Sequence, residues 1–250
     1  MSLHRFHLPP ASCREDLLRL DGREAHHALH VLRLRNGERV TVLDGAGTEF
    51  LCDVESATKN SLVLAVKEKK FTPAPPCLLT LLVAIPKGKL IESIIQKAVE
   101  LGAHRTVPLL TERGVTQLDD DGAEAKREKW QPLAIEAIKQ CGAPWLPKVE
   151  APQTIAEFLA HSEKIELSLV GSLQTERRHP REWISDFQKQ HARLPRSAGA
   201  WIGPEGDFTL AELSAIEAAG AKPVTLGKLT LRVETAAIYC LAFLNYELSA

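Results

Sequence analysis

The sequence lacks the features that mark membrane proteins and disulfide-rich proteins. No apolar run approaches the roughly 20 residues that a membrane-spanning helix needs. The first seven residues lack the apolar stretch of a signal peptide. The five cysteines are odd in number and never form a CxxC pair, so neither a disulfide framework nor a zinc site is indicated. We expect a cytoplasmic protein with reduced thiols.

The motifs of several common enzyme classes are also missing. There is no GxGxxG after a strand-like run, no GxxxxGK(S/T), no HExxH and no GxSxG, which weakens dinucleotide, P-loop, zinc-protease and esterase interpretations. The net charge of -1 gives no overall positive field for a nucleic acid. His26, His27 and His30 lie close together, but His27 leaves the helix face that the other two share, so no metal site is expected.

What the sequence does contain is a clear boundary near residue 70. The 250 residues are enough for one large domain or two smaller ones. Residues 67–76 combine a charge run with three prolines, a composition typical of an extended linker. We predict a first domain over residues 1–70, a linker over 71–76 and a second domain over 77–250.

The first domain has the pattern of a small β-barrel. Three short β-like runs occur at 39–43, 48–54 and 61–66. Asp44-Gly45 marks a hairpin turn between the first two runs. Asp21 and Glu24 have the spacing of a capping box, which predicts a helix that begins at Asp21. The apolar face of that helix would carry Ala25, Ala28, Leu29 and Leu32.

The second domain alternates strands and helices. Strand-like runs occur at 78–85, 106–110, near 149, 165–170, 198–202 and 223–226. Helical periodicity occurs at 90–99, 126–140, from 154, at 181–190, from 209 and at 235–248. This alternation predicts an α/β domain with a mostly parallel sheet. The apolar residues of the final helix are expected either in the core or in a dimer interface.

Glycine-bearing loops follow three of the later strands, at 170–172, 202–206 and 226–227. Ligands of parallel sheets bind beyond the carboxyl ends of the strands, and glycine there lets the backbone approach a ligand closely. The three loops together predict one pocket. The alternative is that each glycine only closes a strand-to-helix turn.

A basic cluster lies in the first domain. Seven basic or histidine residues stand within 17 positions: Arg23, His26, His27, His30, Arg33, Arg35 and Arg39. Such a surface on a small β-barrel suits the phosphate backbone of RNA. An ordinary solvated helix face is the alternative, and from charge alone it is the slightly better interpretation.

Two C-terminal motifs carry a resemblance to a known family. Residues 203–206 (GPEG) and 226–236 (LGKLTLRVETA) resemble the signature of the bacterial 16S ribosomal RNA uridine N3-methyltransferases of the SPOUT (trefoil-knot) superfamily. Segments 27–37, 87–89, 96–102, 111–113 and 140–142 are similar to further motifs of that family. The sequence departs from the pattern at Asp207, where a second glycine is expected, and at Lys139, where an acidic residue is expected.

The resemblance implies a fold and an activity. The expected fold is a C-terminal α/β trefoil-knot (SPOUT) domain with a mostly parallel sheet, preceded by a small PUA-like β-barrel that binds RNA. The expected protein is a homodimer that binds S-adenosylmethionine and methylates N3 of one uridine in 16S rRNA of the small ribosomal subunit, without a metal or a membrane.

The resemblance also implies the residues of the site. Arg232 is expected to favour the developing uridine anion or to orient the base, with a phosphate contact or a buried pair with Glu234 as its alternative role. Glu234 would orient Arg232 or accept the proton. Thr235 is expected to cap the last helix and to line the pocket. The implied cofactor site consists of Val170, Gly171, Ile202, Gly203, Glu205, Gly206, Leu226, Gly227, Leu229, Leu231, Thr235 and Ala236. The expected RNA contacts are Arg5, Arg23, His30, Arg33 and Arg35.

Two other functions stay open at the level of the sequence. One is ribose 2′-O-methylation of another RNA on the same fold. The other is a non-enzymatic RNA-binding assembly factor that keeps a degenerate pocket.

Overall fold

The computed structural model describes residues 3–114, 118–161, 164–173 and 177–248. The chain forms two compact units. The first unit comprises Met1–Ala74 and Ile135–Leu146, and the second comprises Pro75–Ala134 and Pro147–Ala250. A short segment from the middle of the chain thus clusters with the N-terminal residues.

The first unit is built on a curled five-stranded sheet. Its strands are β1 (His4–His7), β2 (Leu17–Leu20), β3 (Arg39–Leu43), β4 (Thr48–Ala57) and β5 (Leu62–Phe71). Their order in the sheet is β1-β3-β4-β5-β2, with β1 parallel to β3 and the other pairs antiparallel. Two irregularities in the register of β4 and β5 increase the local bend of the long hairpin. The predicted turn at Asp44-Gly45 joins β3 to β4.

The predicted helix lies on this sheet, but its N-terminal cap is different from the expected one. Helix α1 (Gly22–His26) continues directly into a π-helical turn (His27–Val31). Asp21 occupies the N-cap position without a capping hydrogen bond from its side chain. The predicted apolar face is correct, since Ala25 and Ala28 are buried in the core that Leu29 and Leu32 also pack against.

Glu24 has another partner, which explains why no capping box forms. Its carboxylate accepts hydrogen bonds from the Lys139 Nζ at 2.7 Å and from the His7 backbone N–H at 3.4 Å. Lys139 is almost fully buried and also lies 3.1 Å from the Glu136 carboxylate. The lysine that departs from the family pattern is therefore neutralised by carboxylates of its own unit.

The charge run at the start of the predicted linker is part of a strand. Residues 67–71 belong to β5, and residues 68–71 pair with residues 48–51 of β4. Their side chains are mostly exposed, and Lys69 Nζ lies 2.9 Å from the Asp16 carboxylate. The linker-like composition of residues 67–76 is thus misleading over 67–71, and of the predicted linker 71–76 only Phe71 lies in the strand. Charged side chains that point to solvent leave the backbone free to pair.

The second unit contains a seven-stranded sheet in which every pair is parallel. Its strands are β6 (Leu78–Ala84), β7 (Ala103–Leu110), β8 (Lys148–Val149), β9 (Gln153–Thr154), β10 (Leu167–Gly171), β11 (Ser197–Ile202) and β12 (Lys222–Val224). Their order is β12-β10-β11-β6-β7-β8, and β9 also pairs with β7. Strand β6 is buried along almost its whole length, as its unbroken apolar run predicts for a central strand.

Helices connect these strands. They are α2 (Leu90–Glu100), α3 (Asp120–Cys141), α4 (Ile155–His161), α5 (Pro180–His191), α6 (Leu210–Ala218) and α7 (Val233–Leu248). Thr209 and Glu212 form a complete capping box at the start of α6. Leu241, Leu244 and Leu248 of α7 are buried, so this part of the final helix is core. Within the described ranges, no helix combines the length and the apolarity that crossing a membrane requires.

The last helix begins earlier than predicted. Val233 is its first residue, so Thr235 lies inside the first turn rather than at the N-cap position. The prediction that Thr235 caps this helix is therefore wrong. The backbone N–H of Ala236 donates to the Arg232 carbonyl at 2.8 Å, which places Arg232 at the N-cap position directly before the helix.

Candidate active site

Three strands of the second unit end side by side and surround a cavity. Strands β12, β10 and β11 are neighbours and parallel, so their carboxyl ends lie at one edge of the sheet. The loops that follow them enclose a cavity of about 300 Å³. The cavity wall is formed by Gly171, Ser172, Leu173, Arg177, Ile202, Gly203, Pro204, Glu205, Asp207, Val224, Leu226, Gly227, Leu229, Thr230, Leu231, Arg232, Val233 and Ala236. The three loops thus form one pocket.

The structure brings most of the expected cofactor residues to this pocket. Nine of the twelve line it: Gly171, Ile202, Gly203, Glu205, Leu226, Gly227, Leu229, Leu231 and Ala236. The other three lie elsewhere. Val170 is fully buried in the core of the sheet, Gly206 lies in the turn outside the wall, and Thr235 is exposed on α7.

Other wall residues were not singled out from the sequence. Leu173, Arg177, Pro204, Val224, Thr230 and Val233 line the cavity as well. Most of them lie in or directly beside the three glycine-bearing loops. A prediction that assigned every residue of each loop to the pocket would have included most of them, whereas a choice of individual residues from the motifs left them out.

Glycine is favoured at Gly203 because the chain approaches it closely. A Cβ atom at this position would lie 3.1 Å from the Phe208 backbone nitrogen and 3.3 Å from an oxygen of Asp207. The loop between β11 and α6 folds back on itself at this point. A larger residue would therefore push Phe208 and Asp207 away by a few tenths of an ångström.

Asp207 joins two of the pocket loops. One carboxylate oxygen accepts from the Phe208 N–H at 2.8 Å, within its own loop. The other accepts from the Leu173 N–H at 2.9 Å and from the Ser172 hydroxyl at 3.3 Å, in the loop after β10. Asp207 has φ of 61°, the left-handed conformation in which glycine is the usual residue and aspartate is tolerated. The departure from the family glycine therefore keeps the backbone and adds a link between the loops.

The segment 111–113 supports the same turn from outside the cavity. Arg113 Nη1 donates to the Gly206 carbonyl at 2.6 Å and to the Phe208 carbonyl at 3.4 Å. The Glu112 N–H donates to the buried carboxylate of Glu212 at 2.8 Å. This family-like motif therefore fixes the loop after β11 to its neighbours.

Arg232 and Glu234 have different positions. Arg232 lines the cavity and its side chain is exposed, whereas Glu234 is half-buried and does not line it. Among the ion pairs of the described residues, none joins the two side chains. The predicted alternative of a buried Arg232–Glu234 pair is thus not seen.

Among the described residues, two carboxylates line the cavity, those of Glu205 and Asp207. The oxygens of Asp207 are engaged by the loop contacts described above. Glu205 is exposed and accepts from the Lys87 N–H at 3.4 Å. Glu205 is therefore the carboxylate that is placed to accept hydrogen bonds from a ligand.

The expected RNA-contact residues of the first unit fall into two groups. Arg23, His30, Arg33 and Arg35 are exposed along α1, the π-helical turn and the chain that follows, although Arg23 lies 3.5 Å from Glu136. Arg5 instead donates to the carbonyls of Lys139 and Gln140 at 3.3 and 3.1 Å. It thereby provides a donor for backbone carbonyls at the C-terminal end of α3, which lack partners within the helix. Among the described residues, no group of three side chains is placed to hold a metal ion.

Comparisons with known proteins identify the family. A family model described as an RNA methyltransferase domain matches residues 73–245, and one described as an RNA methyltransferase PUA domain matches residues 20–67. The ribosomal RNA small subunit methyltransferase E of Synechocystis sp. is 34% identical over 247 residues, which cover 97% of this chain and 77% of the relative.

Solved structures give the same result. A methyltransferase from Legionella pneumophila in complex with the bound cofactor SAM has a TM-score of 0.86 at 28% identity, over 99% of this chain and 98% of its own. A ribosomal RNA small subunit methyltransferase E from Neisseria gonorrhoeae bound to S-adenosyl methionine has a TM-score of 0.84 at 26% identity, over 98% of both chains. The predicted fold, a SPOUT-type α/β domain with a PUA-like domain, is confirmed. The chain belongs to the RNA methyltransferase family that includes the ribosomal RNA small subunit methyltransferases E.

Proposed function

We propose that this protein is an S-adenosylmethionine-dependent methyltransferase that methylates N3 of a uridine in 16S rRNA of the small ribosomal subunit. The observation that carries the proposal is the cavity at the carboxyl ends of β10, β11 and β12, with Arg232 in its wall. The protein would act in the cytoplasm, where it meets its ribosomal substrate.

The pocket suits S-adenosylmethionine. A cavity of about 300 Å³ lies at the lower end of the range for small-ligand sites. Leu226, Leu231 and Val224 offer apolar surface to an adenine ring, and Gly203 and Gly227 permit close approach of the backbone. Glu205 is available for ribose hydroxyl groups. When bound, S-adenosylmethionine supplies an electrophilic methyl group on a positively charged sulfur.

Arg232 provides the chemistry that the base requires. Uracil N3 is a weak acid that attacks the methyl group only after it has lost its proton. The guanidinium donors match the carbonyl oxygens that flank N3, so they would stabilise the anion and orient the ring. Glu234 lies outside the cavity wall, which favours a supporting role at the start of α7 over direct proton transfer.

The remaining surfaces support an RNA substrate and a second copy of the chain. Four exposed basic or histidine side chains lie along α1, the π-helical turn and the chain that follows, and they would contact phosphates. Tyr239, Ala242 and Tyr246 form an exposed stripe on α7 at helical spacing, and Leu229 is 80% exposed beside the pocket. This stripe, rather than the buried leucines of α7, is the proposed homodimer surface.

Methyl transfer from labelled S-adenosylmethionine to small subunits that lack the modification tests the proposal, with nucleoside mass spectrometry of the product. We expect label in 3-methyluridine from the wild-type protein. Label in a 2′-O-methylated nucleoside would replace the reaction with ribose methylation. RNA binding without label and without affinity for S-adenosylmethionine would establish the assembly-factor alternative.

A further inference from the structure

A second cavity of the same unit lies at the opposite edge of the parallel sheet, and we name it the amino-edge cleft. Its volume is about 520 Å³. It is formed at the beginnings of β6, β7, β8 and β11, together with residues of α4 and with Lys164 and Ile165. Ser197, the first residue of β11, lies in the cleft, and Ile202, the last, lies in the wall of the active site. The two sites are thus about 17 Å apart along this strand.

The amino-edge cleft is rich in cationic groups. Arg105, Lys148 and Lys164 line it, together with His104 and His161. The carboxylate in the described part of its wall is that of Glu150, which lies 2.8 Å from Lys148 Nζ. Among the described residues, Arg105 and Lys164 make no ion pair. The described lining therefore carries more cationic side chains than Glu150 can neutralise.

The position of Arg105 is fixed by packing. Its guanidinium lies 5.5 Å from the centre of the Phe158 ring, which is itself buried against Trp201. A guanidinium that already packs on an aromatic ring has little side-chain freedom left to lose. It therefore pays a smaller entropy cost on binding an anion than a freely moving lysine does. The neighbouring His104 has its pKa lowered by burial and by the charge of Arg105, so it is neutral at pH 7 and can donate a hydrogen bond.

We propose that the amino-edge cleft binds phosphate groups of the RNA substrate, at a distance from the methylated base. The inference rests on the proposed function for the presence of RNA. Fixed cations around an open cleft recognise the sugar-phosphate backbone without reading sequence. This contact would add affinity and set the orientation of the RNA, whereas the chemistry stays at the carboxyl edge.

The test compares charge-neutralising variants in the cleft with matched variants outside it. Arg105→Gln and Lys164→Gln keep most of each side chain and remove its charge. Lys189→Gln removes the same charge from α5, where Lys189 is 77% exposed and lies outside the cleft. Affinity is measured for protein-free 16S rRNA and for the intact subunit over a range of salt concentrations. Thermal unfolding and S-adenosylmethionine binding are measured in parallel.

Each cleft variant is expected to weaken RNA binding about fivefold, the size of an exposed ion pair, and to reduce the slope of log affinity against log salt by about 1. Turnover at saturating RNA and cofactor affinity should be unchanged. Lys189→Gln should match the wild type. Equal RNA affinity of cleft and control variants would overturn the proposal.

If the cleft variants lose affinity for the intact subunit but not for protein-free 16S rRNA, the proposal is also overturned. That result would mean that the cleft binds a ribosomal protein rather than RNA. Failure of the proposed function would look different, since the wild-type protein itself would then give no 3-methyluridine.

Discussion

Asp207 gives the sharpest test of how the active-site loops are held. The substitution Asp207→Gly restores the residue that the family pattern has at this position and keeps the left-handed backbone. It removes the carboxylate that links the loop after β11 to Leu173 and Ser172. We expect that the pocket loops lose their mutual support while the fold remains.

The magnitude follows from the bonds that are lost. Hydrogen bonds to a charged acceptor contribute about 1.5–3 kcal/mol each, and partial solvent access at the pocket mouth reduces this to about 1 kcal/mol for each of the three bonds that are lost, from Leu173, Ser172 and Phe208. Glycine recovers about 1 kcal/mol of left-handed strain. The net loss in the free energy of unfolding is therefore about 2 kcal/mol, a fall in Tm of about 4–8 °C. In Asp207→Gly the less ordered loops must become ordered when the cofactor binds. This cost should raise the Kd for S-adenosylmethionine about tenfold.

Calorimetric titration of S-adenosylmethionine and thermal unfolding provide the two measurements. Asp207→Asn keeps one acceptor oxygen and tolerates the same backbone, so its Kd should lie between those of the wild type and Asp207→Gly. Asp207→Ala loses the bonds and retains the strain, so it should have the lowest Tm of the series. An Asp207→Gly protein that binds the cofactor as tightly as the wild type would refute the reasoning.

Three other substitutions test separate parts of the structure. Arg232→Ala should lower kcat at least about 100-fold and leave cofactor affinity within a few-fold, because a donor aimed at the transition state is lost; equal losses in both would contradict this. Lys139→Ala leaves the Glu24 carboxylate in a mostly buried site, so urea unfolding should show a loss of about 3 kcal/mol, and a loss below 1 kcal/mol would be inconsistent with a buried pair. Arg193 beside Glu166 lowers the pKa of that carboxyl from 4.5 to about 2. Its stabilising effect is thus complete above pH 4.5 and lost as the pH falls towards 2, and Glu166→Gln should flatten the pH dependence of Tm in that window; an unchanged slope would argue against the pair.

Periodicity predicted most elements of the second unit. Buried parallel strands such as β6 are apolar runs, and α2 and α5 have a one-sided apolar pattern, so these elements can be recognised locally. The two-residue strand β9 is too short to show a pattern, and α3 begins at Asp120 rather than at residue 126. The same rule placed the glycine-bearing loops at one edge, because parallel strands that are neighbours end together. The order of the strands in the sheet cannot be predicted from local sequence. The prediction of one pocket required only that β10, β11 and β12 be neighbours, and they are.

The first unit shows where the sequence was insufficient. Strand β1 has the sequence HRFH, in which only Phe6 is buried, so it has no alternation to detect. The partner of Glu24 is 115 positions away at Lys139, and no local pattern predicts it. Likewise, the two loops that Asp207 joins are separated by 34 positions in the chain.

The most direct test of the central claim is the binding of S-adenosylmethionine to a protein whose pocket has been filled. A Cβ at Gly171 would make only ordinary contacts, the nearest at 3.6 Å from Leu226, so Gly171→Leu should fold and extend a side chain into the cavity. Ala211→Leu, at an exposed position of α6, is the matched control. We predict one cofactor molecule per wild-type chain, unchanged binding in the control and at least a 100-fold loss in Gly171→Leu, the cost of about 2.7 kcal/mol of lost contact. Equal binding by Gly171→Leu and the wild type, or no binding by the wild type, would contradict the assignment of this cavity.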